Sequence, residues 1–379
     1  MKKNILLLAA GLLFLAACAS KPKMEVTVKN PIKLERVNET VEIAWGEVIR
    51  RFENATPDNV IVLNAAGKQI PSQVVYHGEP TPQLLIFQAT VAPNGKSTYR
   101  ITTGVRESFP VQAYGRYVPE RFDDYAWENN LVVYRLYGPA LETTPGQMLV
   151  TPGIDVWVKS TEKMVIDEWY KRGDYHRNHG EGMDAYKVGK TLGAGASAPF
   201  IDGKLWLSRN YAAYETLDNG PIRTAVRLTY APFPAGSETV SLVKTIELDA
   251  NTRFSKMTDV YSGSFESIPV AAALVMHDVK GKFANGSAMG LTEAVSDSKQ
   301  PEVDGDISLA IIMKAASENV EAEGHFFSVA DVRNNQPMVY YAGSAWSQAG
   351  VPDVVAWESI VNDEALKVLN KLEVTISLN

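Results

Sequence analysis

The sequence predicts an all-β protein: a large antiparallel β-sandwich, preceded by a smaller N-terminal β-sandwich, with few helices. Three observations predict it. Apolar residues recur at alternate positions in short runs along most of the chain, turn residues separate those runs, and only one stretch carries a helical stripe. The chain shows no internal repeat of roughly 20–50 residues, which excludes a propeller or solenoid. At 379 residues, 45% hydrophobic and 21% charged, it has the composition of one or two globular domains. A formal charge of −7 without any basic block argues against nucleic acid as a partner and against electrostatic docking to anionic lipid.

Residues 1–18 read as a lipoprotein signal. Lys2 and Lys3 form the charged start, Ile5 to Leu15 the apolar stretch, and Leu15-Ala16-Ala17-Cys18 the lipobox. The apolar run is too short for a permanent span. Cys18 is the only cysteine, so no disulfide is available and a lipidated Cys18 explains an otherwise solitary thiol. Residues 19–23 form a short polar tether without an acidic run. The expected location is therefore the bacterial envelope, lipid-anchored and facing the periplasm.

From 24 to 104 the runs MEVTVKN, ETVEIAWGEV, NVIVLN, LLIFQATV and STYRITTG read as strands of the N-terminal sandwich, with turns at Asn54-Ala55-Thr56-Pro57, Ala66-Gly67-Lys68 and Pro93-Asn94-Gly95. No helical stripe is read there. Residues 105–379 form the larger unit. Its strands are LVVYRL (131–136), in which Arg135 is the one charge, IDVWV (154–158), and the runs beginning at Arg223, Thr239, Phe254, Pro269, Ile307, Gly324 and Met338. Val354, Trp357, Val361, Ala365 and Val368 fall on one face of a helix spanning roughly 353–371, and LEVTISL ends the chain as a strand.

Between these strands lies DEWYKRGDYHRNHGEGMDAYKVGKTLGAG (167–195). Its glycines break both helical and strand periods, and its aromatic residues argue against a solvated tail, so it reads as an ordered functional loop. Its part GDYHRNHGEGMDAYKVGKTLGAG (173–195), together with RFDDYAWENNLVVYRLYGPAL (121–141), GIDVWVK (153–159) with VIDEWY (165–170), and YYAGSAWSQAG (340–350), resembles the domain-of-unknown-function family 4861, lipoproteins found mostly in Bacteroidota beside polysaccharide-degrading enzymes. The resemblance covers most of the mature chain. It implies a core similar to the galactose-mutarotase supersandwich and leaves the chemistry open.

The loop residues suit carbohydrate chemistry. Elimination from a uronate needs a cation to neutralise the sugar carboxylate and a base near the operating pH. His176, His179, Tyr175, Glu181 and Tyr186 are the catalytic candidates, and Arg177, Lys187, Asp124, Trp127, Glu128, Asp184 and Trp346 the substrate-binding ones. Histidine suits the base because its ordinary pKa lies near neutrality. His277 and His325, at strand ends, either point into the same cleft or are hydrogen-bonded core residues. Glycoside hydrolysis would instead use two of Glu181, Asp184, Asp124, Glu128 and Asp155. The pattern His176-x2-His179-x-Glu181-x2-Asp184 also offers ligand types for zinc or calcium, although its glycines preclude the helix-borne zinc arrangement. The leading expectation is a lyase on uronate-containing polysaccharide or oligosaccharide. A hydrolase on the same substrates and a non-catalytic glycan-binding protein are the alternatives. Neither a nucleotide fingerprint nor a Gly-x-Ser-x-Gly serine site is present.

Overall fold

The computed structural model describes residues 23–378. The expected signal, Cys18 and all but the last residue of the tether lie outside the described residues. The architecture is all-β sandwich, as expected.

The N-terminal sandwich has a five-stranded and a three-stranded sheet. The first runs in the order Glu373–Leu378, Met24–Lys29, Lys96–Thr103, Val60–Leu63, Gln69–Ile70, and the second Arg36–Ala44, Leu84–Val91, Ser72–Val75. Alternation explains the packing: Met24, Val26 and Val28 are buried while the residues between them are not, and they meet Val41, Phe87 and Ile101 in one core. The last strand of the chain pairs antiparallel with Met24–Lys29. Chain order had put this strand with the larger unit, but pairing with the first strand makes it an edge of the N-terminal sheet.

In the larger unit an eight-stranded sheet shares one core with two five-stranded sheets. The first of these, in the order Gly182–Asp184, Ile154–Lys159, Val133–Leu136, Asp124–Asn129, Ala113–Val118, carries the candidate site. The second is built on Ala194–Ile201, Ser267–Val275 and His325–Arg333. The other face of the eight-stranded sheet is covered by the expected C-terminal helix, Val354–Leu369, which buries Trp357, Val361 and Ala365 and is capped by Asp353 accepting from the Ala356 N–H.

Three helices differ from the sequence reading, one of them the single turn Pro301–Asp304. Trp45–Arg51 is helical where the alternation predicts a strand continuing to Val48; Trp45 and Val48 are its buried residues, and Phe52 just after it is buried too. Ile166–Arg172 is helical at the start of what was read as a loop. It ends at Gly173, whose φ of 77° is the left-handed conformation that stops a helix.

Candidate functional site

Strand parity builds the site. On the site sheet Tyr125, Trp127, Tyr134, Leu136, Ile154, Val156, Val158 and Met183 face the main core. Their neighbours in sequence must therefore face the opposite side. On that side Val118, Ala126, Val133 and Trp157 pack with Val165, Ile166, Trp169 and Tyr175 of the helix and the loop after it. The same face carries Asp124, Arg135, Asp155 and Asp184. Register completes the cluster, since Arg135 lies directly opposite Asp155 and Asp184 opposite Trp157.

Arg135 is the hub. Its Nη2 lies 2.5 Å from Asp155 Oδ2 and 2.7 Å from Asp184 Oδ2, and its Nε 3.8 Å from Asp124 Oδ2. All four residues are buried. The guanidinium sits over the rings of Tyr137, Trp157 and Tyr175, at 5.0, 5.4 and 5.9 Å, a stacking that suits a delocalised cation. One cation cannot neutralise three carboxylates. Burial pushes the Asp124 carboxyl up to about 6 against the pull of Arg135, and it raises Asp155 and Asp184 likewise.

His176 stands at the rim of this cluster. Its Nδ1 is 3.3 Å from the Asp184 carbonyl and 3.4 Å from Asp184 Oδ2. Both neighbours are acceptors, so Nδ1 carries the proton and Nε2 keeps the lone pair. The side chain is 50% exposed while Asp184 is 1% exposed, giving a reachable imidazole on a buried carboxylate. Burial and the Arg135 charge lower the His176 pKa, which keeps the ring neutral at pH 7. Tyr175 packs on it with ring centroids 4.7 Å apart, and the Tyr175 hydroxyl accepts from Arg121 Nε at 3.2 Å. Arg121 lies near enough to Asp124 and Asp184 to pull both carboxyls down, and its Nη1 has no protein partner. The Tyr186 hydroxyl is also buried without one.

The structure does not bring the other candidates to this point. His179 Nε2 is 3.0 Å from the Asp174 carbonyl, and Glu181 is paired with Lys163 at 2.6 Å. Arg177 and Lys187 are exposed. Trp127 donates to Ser255 Oγ at 3.1 Å and stacks on Tyr134; Trp346 donates to the Asp304 carbonyl at 2.7 Å. Both tryptophans are core residues rather than sugar platforms. Glu128 is buried, binds Lys159 and accepts the Val165 and Ile166 backbone N–H groups, so it anchors the helix start. Among the described residues no group of three or more His, Cys, Asp or Glu side chains is arranged to hold a metal ion: the suggested donors are engaged by Lys163, Arg135 and Asp174. A cavity of about 700 Å³ lies elsewhere, beside Arg223, Glu247, Asp249 and Lys256, whose charges pair with one another.

Arg121, Arg135 and the Asp155 contact were not assigned roles from the sequence. The signal for Arg135 and Asp155 is a charge at an outward position of an otherwise apolar strand, and only the pairing register shows that they converge, whereas Arg121 ends the short helical turn Pro119–Arg121 and carries no such signal.

Residues 28–374 match the family described as Domain of unknown function (DUF4861). The chain belongs to the DUF4861 family. This DUF4861 chain is 33% identical over 407 residues to "Uncharacterized protein P7" of Formosa agariphila, covering 99% of the chain and 100% of that relative. It shares its fold with a protein in the glycosyl hydrolase family 38 from Enterococcus faecalis, with a TM-score of 0.54, 8% identity, and coverage of 94% of this chain and 48% of that one. An alpha-mannosidase from Enterococcus faecalis V583 aligns at a TM-score of 0.48 with 7% identity, covering 94% and 46%. The DUF4861 chain thus spans about half the length of these two solved structures.

Proposed function

We propose that this protein is a carbohydrate-active enzyme that cleaves uronate-containing glycans by β-elimination, with His176 as the base. The observation that carries the reading is the His176–Asp184 pair: a half-exposed, neutral imidazole whose Nδ1–H is held by a buried residue, leaving Nε2 without a hydrogen bond. A base of this kind contributes about 10²–10⁴-fold to proton abstraction. The buried Asp184 carboxylate also stabilises the imidazolium that forms. Arg121, a partly buried cation whose Nε donates to the Tyr175 hydroxyl, is the group suited to neutralise the sugar carboxylate and so acidify the adjacent carbon. The exposed Arg177 and Lys187 add positive charge for an acidic glycan. Likeness of fold to a glycosyl hydrolase family 38 protein is compatible with a sugar substrate. Hydrolysis is the weaker reading, because Asp124, Asp155 and Asp184 are buried against Arg135 rather than presented to a glycosidic bond.

The test is incubation of the protein, starting after Cys18, with pectic, glucuronan-like and sulfated glycans. The expected product carries the ultraviolet absorbance of an unsaturated uronate. New reducing ends without that absorbance would select hydrolysis, and retardation in an affinity gel with neither would select a binding protein; both outcomes contradict the proposal.

A further inference from the structure

A second histidine–carboxylate pair lies against the wall that holds His176. His277 Nδ1 is 2.7 Å from Glu293 Oε1, and Glu293 Oε2 accepts the His277 backbone N–H at 2.9 Å. Glu293 is fully buried and the His277 side chain is 22% exposed, so this imidazole too is held at Nδ1 by a buried acceptor and leaves Nε2 uncommitted. The Tyr186 ring meets His277 edge to face, with centroids 5.5 Å apart. Tyr186 is two residues from Asp184, and its unpartnered hydroxyl lies in the field of both Glu293 and Asp155. It therefore stands between the two pairs.

The backbone fixes this adjacency. The Asp297 N–H donates to the Ala185 carbonyl at 2.9 Å, and the Lys187 N–H to Ser296 Oγ at 2.9 Å. The Asp297 carboxylate acts on both His176 and Asp184. Segments 184–187 and 293–297 are thus bonded side by side, with His176 held at Asp184 of the first and His277 at Glu293 of the second. His325 is different: its Nδ1 donates to the Glu323 carbonyl at 2.8 Å and its Nε2 accepts the Leu192 N–H at 3.1 Å, leaving no nitrogen for chemistry.

We infer that His277 is a second catalytic residue, the proton donor to the leaving oxygen. The inference rests on the elimination reading. His176 Nε2 takes the proton from the carbon next to the uronate carboxylate, and the released pair forms the carbon–carbon double bond. The bond to the glycosidic oxygen breaks with its electrons on oxygen, which takes the Nε2 proton of the His277 imidazolium. His176 ends protonated and His277 neutral, and exchange with water restores both.

Leaving-group dependence tests this. Two substrates are compared: polygalacturonate or polyglucuronate, whichever the wild type cleaves, and the matching uronate with a nitrophenoxy group at carbon 4, whose departure needs no proton. His277→Gln should lose about 10²–10³-fold in kcat on the glycan and less than about threefold on the nitrophenoxy substrate. His176→Ala should lose activity on both. Glu293→Gln keeps the shape of the pair and should show the same leaving-group dependence, which guards against a poorly folded His277 variant. Equal losses on the two substrates, or none on the glycan, would overturn the role of His277 while leaving the base intact. A wild type that eliminates from neither substrate would overturn the elimination reading and this inference with it.

Discussion

Arg135 is the residue on which the site depends, because its buried guanidinium forms the ion pairs with all three buried carboxylates, while Arg121 acts on two of them without an ion-pair contact. Arg135→Met keeps the volume but strands those charges, and breaking a buried ion pair in this way costs about 3–5 kcal/mol. Chemical denaturation measures it, and a loss under about 1 kcal/mol would mean the carboxylates do not depend on the guanidinium. The same burial has a pH signature. Asp124 keeps its proton in the folded protein up to about 6, whereas an unfolded aspartate loses it near about 3.9. The folded state therefore binds more protons, and its stability falls as pH rises between those values. The wild type should lose stability from pH ~4 to ~6 more steeply than Asp124→Asn, and identical slopes would contradict the raised pKa. For His176 the direction is opposite, since its lowered pKa places the acid limb of kcat/KM below the ordinary imidazole value of about 6.5.

Short elements place these residues. The helix Ile166–Arg172 has seven residues, too few to hold itself in water; Glu128 satisfies its first N–H groups and Trp169 packs on Trp157 with centroids 5.7 Å apart. That is why the sequence did not reveal it. The cap comes from another strand, and the run of glycines after it dominates the local pattern. Asp184 is positioned by the strand Gly182–Asp184, which pairs with Ile154–Lys159 only because residue 182 is glycine: its φ is 129°, and a Cβ there would lie 2.0 Å from the Val158 carbonyl oxygen. Gly182→Ala should cost about 1–3 kcal/mol and reduce activity by displacing Asp184. Gly180, with a φ of 97° and open space around it, supplies the control, and thermal melts that rank Gly180→Ala below Gly182→Ala would contradict this placement.

At the scale of the molecule, period-two alternation made the sandwich legible, because strands with one buried face write that face into every second residue. Alternation does not say which strands pair, so neither the return of Glu373–Leu378 to the N-terminal sheet nor the convergence of Asp124, Arg135, Asp155 and Asp184 was readable. The site was legible in part. Tyr175, His176 and Asp184 do lie together at the outer face of the site sheet and Tyr186 follows two residues on, packed in the main core, whereas Trp127, Trp346 and Glu128 were drawn in by residue type and prove to be packing and helix support. In the proposed reaction the large sandwich presents His176 as a base on a buried Asp184–Arg135–Asp155 platform. The most direct measurement is the rate of unsaturated-uronate formation by His176→Ala, with its melting temperature taken on the same sample. The expected result is a loss of about 10²–10⁴-fold with melting within a few degrees of wild type, and a folded variant retaining full activity would rule out His176 as the base.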